Sequence, residues 1–432
     1  MSLLIVLAIL LAIFLGYITR INIGLFAIAF AYILGCFVMG LSPKEVIAMW
    51  PLKIFFVIFS VCLFYSFAMV NGTLEKLAGH LLYFCRNAPW LLPFAVFLTA
   101  TVIAAMGAGY YTVLAFMAPV TLILCKRTGM DLIVGGLAVN YGALGGANFM
   151  SSQSGIIFRG LMTTAGISDN DAFINATAIF ASTFVLPLIV ISVLLFVFGR
   201  HRTMGTDLGD VTKPEPLTSQ QKTTLVLTLV MMAVVLAAPI ANLIAPDNAT
   251  VNFINSKINI GLIASVFSVI ALLLKLGDER KAISSLPWGT LIMICGMGML
   301  IAIAIKAGTI VQLSEWIGGN IPAFLVPLMF GIVAAIMSLF ASTLGVVTPA
   351  LFPMVPVLSD QLAISPVLMF VAIVVGAQAT SISPFSSGGS LILSSAPDEQ
   401  ERRSLFSRLL FRAAPIGFIG AMLANIVLTF VL

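Results

Sequence analysis

Ten apolar runs, most of them as long as or longer than the roughly 20 helical residues that cross a hydrocarbon core, govern what this chain can become. They lie near residues 3–18, 21–40, 53–71, 131–165, 173–199, 223–245, 259–276, 287–306, 365–396 and 410–432. Backbone groups in lipid have no water to pair with, so these runs must be helices. Only 9% of the 432 residues are charged and 61% are apolar, too little charge to cover a soluble domain of this size. The reading is an all-α polytopic membrane protein. The run from Leu3 to Leu15 lacks a basic leader and a small-residue cleavage site, and is expected to be the first span rather than a signal peptide.

The remaining composition removes several chemistries. Cys36, Cys62, Cys85, Cys125 and Cys295 show no CxxC spacing and read as small apolar residues. His80 and His201 are expected in polar connections, so no transition-metal or histidine proton site is expected at membrane depth. The net charge of +5 sits in loops, where membrane topology accounts for it without a nucleic acid partner.

Two further apolar stretches, 91–125 and 321–358, each break at small residues, Gly107-Ala108-Gly109 and Ala341-Ser342-Thr343. They are expected to be re-entrant hairpins, each preceded by an amphipathic arm, 73–88 and 309–319. The chain also repeats. Arg20-Ile21-Asn22-Ile23-Gly24-Leu25 matches Lys257-Ile258-Asn259-Ile260-Gly261-Leu262, Pro51 matches Pro287, and Asn71-Gly72-Thr73 matches Ala307-Gly308-Thr309, at an offset near 236 residues. Such ordered matches mark an internal repeat. The first repeat then covers 1–199, with scaffold 1–72, arm 73–88, hairpin 91–125, broken span 131–165 and last span 173–199. A cytoplasmic linker, 200–222, leads to the second repeat, 223–432, with scaffold 223–306, arm 309–319, hairpin 321–358, broken span 365–396 and last span 410–432. Five crossings per repeat put the two in inverted topology. Sixteen basic residues then fall on one side and four, Lys44, Lys53, Lys257 and Lys306, on the other. The positive-inside rule makes the first side cytoplasmic and both termini extracytoplasmic.

Four stretches are too polar and too glycine-rich for ordinary spans: 107–112, 140–155, 342–349 and 378–390. Glycine and proline interrupt helices there, and exposed backbone at membrane depth survives only inside protein or along a cavity. Half-helix N-termini favour an anion, and freed carbonyls favour sodium. The bland alternative is close helix packing through small residues. All sixteen acids fall in loops or at span ends, so no intramembrane carboxylate is available to carry a proton or balance an organic cation. The expected substrate contacts are Gly109, Tyr110, Thr112, Asn148, Ser151, Ser152, Ser154, Ser342, Thr343, Ser383, Ser386 and Ser387. Arg159 either joins them or snorkels to the interface. Gly107, Gly145, Ala341, Gly345 and Thr380 are the candidate cation contacts. Trp50, Trp90, Trp288 and Trp316 flank spans and read as interfacial anchors.

This layout resembles the ion transporter superfamily, which includes the divalent anion/sodium symporters. The stretch Arg20-Ile21-Asn22-Ile23-Gly24-Leu25-Phe26-Ala27-Ile28-Ala29-Phe30 resembles MatC-type malonate and dicarboxylate carriers. Symporter hairpin tips carry Ser-Asn-Thr, of which the second tip here keeps Ser342-Thr343. The broken spans carry Ser151-Ser152-Gln153-Ser154 and Ser383-Pro384-Phe385-Ser386-Ser387-Gly388 in place of Thr-Pro-Pro. The resemblance implies a homodimeric elevator in a bacterial inner membrane, importing a small dicarboxylate with sodium as coupling ion and no other cofactor. A TRAP-type permease subunit, an exchanger, a channel and an intramembrane enzyme are the alternatives. The last would need a nucleophile and base, which the His and acid positions do not supply.

Overall fold

The structure is a computed structural model that describes residues 1–84, 91–198, 214–245, 248–339, 341–396 and 399–431. Cys85, Arg86, Trp90 and most of the linker, with Arg200, His201, Arg202 and Lys213, lie outside the described residues. Among those described there is no strand. The first half comprises α1 (Ser2–Thr19), α2 (Ile23–Tyr32), α3 (Pro43–Ala48), α4 (Leu52–Val70), α5 (Thr73–Phe84), α6 (Leu92–Ile103), α7 (Tyr110–Thr128), α8 (Leu132–Ala147), α9 (Gln153–Thr164) and α10 (Asp169–Phe198). The second comprises α11 (Ser219–Ile244), α12 (Ala249–Lys257), α13 (Ile260–Leu273), α14 (Glu279–Ser284), α15 (Trp288–Lys306), α16 (Thr309–Asn320), α17 (Val326–Ser338), α18 (Thr348–Leu351), α19 (Val355–Leu362), α20 (Pro366–Ala379), α21 (Ser387–Ser394), α22 (Glu399–Arg408) and α23 (Ala414–Val431). Seven described helices are long and apolar enough to cross a membrane, or nine if two bent pairs count as spans. The chain is thus a polytopic α-helical membrane protein.

Close backbone contacts explain many of its glycines. In the scaffold α2 crosses α15, and a Cβ on Gly296 would stand 2.2 Å from the Gly24 carbonyl oxygen. Likewise α13 lies on α4, with Gly261 against the Val57 backbone. Further along, α8 packs on α6 and α20 on α17. A Cβ on Gly146 would meet the Thr101 carbonyl oxygen at 2.1 Å, and one on Gly376 would meet that of Gly331 at 2.2 Å. Small residues let these helices approach closely.

Polar hubs tie the pieces together. The Asn71 amide donates to Thr224 Oγ1 (2.8 Å) and to the Leu276 carbonyl (2.9 Å), joining the end of α4 to α11 and to the end of α13. Arg408 donates to both carboxylate oxygens of Asp131 at 2.7 and 2.6 Å, clamping α22 of the second half onto the start of α8. Asp131 also caps α8 through the Ile133 N–H.

Several local features depart from the expectations. His80, expected in a polar connection and within the amphipathic stretch 73–88, sits in α5, its Nδ1 2.8 Å from the Lys76 carbonyl oxygen. α12 precedes α13 at a bend of 64°, and α16 turns through 116° into the helical stretch Ala323–Ser338. The last span starts before its apolar run, because α22 passes through a π-helical turn, Leu409–Ala413, into α23.

Candidate functional site

At four places the chain restarts a helix inside the protein. After α6 it makes a π-helical turn, Ala104–Ala108, and begins α7 at Tyr110. Gly107 and Gly109 hold φ of +92° and +75°, a region that favours glycine. Gly107 abuts the Tyr65 ring, and a Cβ on Gly109 would stand 2.3 Å from Gln153 Oε1. In the broken span α8 stops at Ala147 and α9 begins at Gln153. In the second half Ser342 opens a π-helical turn, Thr343–Val347, that continues into α18. Finally, Ser386 opens α21.

These four starts border one small, partly open cavity of about 30 Å³. Tyr110, Ser154, Ser342 with Thr343, and Ser386 with Ser387 and Gly388 bring the four N-terminal ends to its wall. Tyr111, Leu144, Ser338, Ala341, Leu344, Gln378 and Ser381 complete the lining, and no lining residue is charged. The ends are not equivalent. Ser386 Oγ accepts from the Gly389 N–H (3.1 Å) and Ser342 Oγ from the Gly345 N–H (3.2 Å), so both second-half ends are capped. The starts of α7 and α9 have no side-chain cap. Their first-turn N–H groups have no partner within the helix, and the peptide dipole is positive there. An anion in the cavity has its best donors on the first-half side.

A buried relay sets the wall. Tyr110 Oη donates to Asn140 Oδ1 (2.6 Å), Asn140 Nδ2 donates to Ser381 Oγ (2.9 Å), and Ser381 Oγ donates to the Gln378 carbonyl (2.7 Å). Asn148 and Gln378 exchange two amide hydrogen bonds, both 3.0 Å, and Asn148 also donates to Thr183 Oγ1 (2.9 Å). Tyr141 donates to the Ala379 carbonyl (2.7 Å). The two broken spans are thereby bolted to one another.

Of the expected substrate contacts, Tyr110, Ser154, Ser342, Thr343, Ser386 and Ser387 meet at the cavity. Gly109, Thr112, Asn148, Ser151, Ser152 and Ser383 are not in its lining. The Asn148 amide is spent on Gln378 and Thr183, and Ser152 Oγ donates to the Ala104 carbonyl (2.6 Å). Ser383 Oγ faces its own loop, 3.4 Å from the Phe385 N–H. Ser151 is fully buried, and its hydroxyl has no partner among the described residues. Arg159 lies elsewhere, in a wider, open cleft of about 620 Å³, its guanidinium over the Phe173 ring.

Of the expected cation contacts, Ala341 lines the cavity. Gly145 packs toward the Thr183 carbonyl and Gly345 against Met293, while Thr380 Oγ1 donates to the Ala335 carbonyl (2.8 Å). Sequence reasoning did not single out Ser338, whose hydroxyl lies 3.1 Å from that of Thr343. Its only signal is that it stands five residues before Thr343, across the turn of the hairpin. Gln378 and Ser381 were legible as members of the polar stretch, and Tyr111 as a neighbour of the first tip.

Residues 1–147 match the family model described as the N-terminus of the dicarboxylate carrier protein MatC. The chain shares its fold with the crystal structure of the YdaH transporter from Alcanivorax borkumensis, with a TM-score of 0.60 and 16% identity over 92% of this chain and 88% of that one. Both matches are to carriers rather than to enzymes. No curated protein matches the sequence.

Proposed function

We propose that this chain is a secondary active transporter for a small dicarboxylate of three or four carbons, such as malonate or succinate. The observation that carries the reading is the convergence of four helix N-terminal ends on one uncharged, hydroxyl-lined cavity. Each such end favours an anion by about 0.3–1 kcal/mol, and more where it is partly buried. Serine and threonine hydroxyls complete the coordination without a counter-charge that would hold the substrate too tightly to release. The match of residues 1–147 to a dicarboxylate carrier model supports the substrate class.

A dianion entering a negative-inside cell works against about 2.3 kcal/mol per charge per 100 mV, roughly doubled for two charges. Uptake therefore needs a driving ion, and sodium suits a site built from carbonyls and hydroxyls. The unpartnered Ser151 hydroxyl at the α8–α9 break is the candidate ligand. The basic asymmetry supports extracytoplasmic termini and a cytoplasmic linker, 200–222. The hydrogen-bonded pair of broken spans, with the hairpins packed on them, suits one elevator-like moving body against a dimeric scaffold built on α2, α4, α13 and α15. Inverted repeats would bring the two halves of that body to a common depth.

The test is uptake of labelled malonate or succinate by the purified chain in proteoliposomes, under imposed sodium or proton gradients. Sodium-driven accumulation is expected. Uptake driven only by internal dicarboxylate would make the chain an exchanger, and no response to any dicarboxylate would overturn the substrate class.

A further inference from the structure

The wider cleft is a second feature with its own chemistry. It runs between scaffold and broken span, with Lys53 at the start of α4 and Asn259 at the head of α13 on one wall and α9 on the other. Along α9 its lining residues are Ile156, Arg159, Gly160, Thr163 and Thr164, the i, i+3, i+4, i+7, i+8 stripe of a single helix face. Gly160 lets that face come close: a Cβ there would stand 3.1 Å from Ile54 Cγ1. The Phe173 ring supports the guanidinium of Arg159, whose Cζ lies 5.2 Å from the ring centroid. Neither Lys53 nor Arg159 forms a salt bridge among the described residues. Asp169 is the single acid in the lining, so the cleft carries net positive charge. Thr163 and Thr164 add hydroxyls, although both also donate to the Gly160 carbonyl.

The same helix borders the inner cavity. Ser154 lines that cavity and Arg159 follows five residues later, about 7.5 Å along the axis and turned by roughly 140°. One helix thus presents an uncapped N-terminus to the inner cavity and a cation to the cleft.

We propose that the cleft is a capture site for small doubly charged carboxylates, with Lys53 and Arg159 taking one carboxylate each before the ion passes along α9 to the inner cavity. This rests on the transport reading above, and in the proposed orientation the cleft opens on the extracytoplasmic side, where Lys53 lies. Converging cations raise local anion concentration and on-rate, an effect that weakens with salt.

The first measurement compares wild type with Lys53→Gln/Arg159→Gln in phosphatidylcholine proteoliposomes at low ionic strength. KM for malonate should rise about tenfold, about 1.4 kcal/mol, while the maximal rate changes far less. The gap should shrink at high salt. The second measurement is independent of transport. In Thr164→Cys, an anionic thiol reagent should label faster than a cationic one. Malonate should slow it, and the preference should vanish when Lys53 and Arg159 are neutralised. If wild type takes up no dicarboxylate, the transport reading fails, and labelling still reports on the cleft. Unchanged KM in a transporting double variant, or labelling indifferent to malonate, overturns the capture site. Protection by anionic phospholipid and not by malonate assigns the cleft to a lipid headgroup and overturns it equally.

Discussion

Gly388→Ala puts one methyl group into the wall of the inner cavity. The added Cβ would stand 1.8 Å from Tyr110 Oη, 3.0 Å from its Cζ and 2.9 Å from the Ser381 carbonyl oxygen. Carbon and oxygen need more than 3 Å, so the Tyr110 hydroxyl must move by over 1 Å. That breaks its 2.6 Å bond to Asn140 in a fully buried place. An unsatisfied buried partner costs about 1–3 kcal/mol, and displacing the ring adds packing strain of about 1–3 kcal/mol. Tyr110→Phe removes the clashing oxygen and leaves Asn140 without its donor, at about 1–3 kcal/mol. The double variant should therefore cost little more than Tyr110→Phe alone, since the bond that alanine breaks is already gone. The coupling should be about 1–3 kcal/mol in the direction of rescue. Thermal unfolding in detergent measures each arm, and malonate uptake follows the same order. Additive losses would refute the claim that Gly388 is glycine because of Tyr110.

The carboxamide pair should behave as a unit. Asn148→Ala or Gln378→Ala alone should cost about 1–3 kcal/mol, whereas Asn148→Leu/Gln378→Leu should recover much of that loss in thermal unfolding. At the protein surface, hydrogen bonds from Ser42 and then the contact with Lys306 lower the Glu45 pKa from 4.5 to about 2. A depressed carboxyl contributes fully above its unfolded value and loses that contribution as pH falls from about 4.5 towards 2. Glu45→Gln should thus flatten that part of the stability–pH curve, as read by the unfolding midpoint across the range. Finally, a cysteine at Thr206 should resist impermeant thiol reagents in intact cells and one near Leu432 should react; labelling of Thr206 from outside would reverse the proposed orientation.

The lipid-crossing helices were legible because length and apolarity are local properties. So were the helix restarts: Tyr110, Ser154, Ser342, Thr343, Ser386 and Ser387 stand where small and polar residues interrupt apolar runs, and the cavity lies there. Gly142 and Gly146 belong to an equally glycine-rich stretch yet serve close packing, because what decides is the neighbouring backbone, far away in sequence. Linear proximity alone leaves Arg159 between the inner site and the interface. Helical periodicity turns it away from Ser154 and places it with Ile156 and Thr163, a pattern present in the sequence but overshadowed by the nearby break. Ser338 and the partners of Asn148 were out of reach, since both depend on chain returning across a turn or from the other half.

The bonds between the broken spans also impose a schedule on synthesis. Asn140, Tyr141 and Asn148 find their partners 241, 238 and 230 residues later in the chain. At roughly 5–20 residues per second, a ribosome needs on the order of 10–50 seconds to deliver them. For that interval the nascent first half holds two amides and a phenol at membrane depth with their second-half partners still unmade. They must be sheltered by water, by the insertion machinery or by temporary neighbours. A chain that stops before residue 378 leaves those groups without the partners that join the two broken spans.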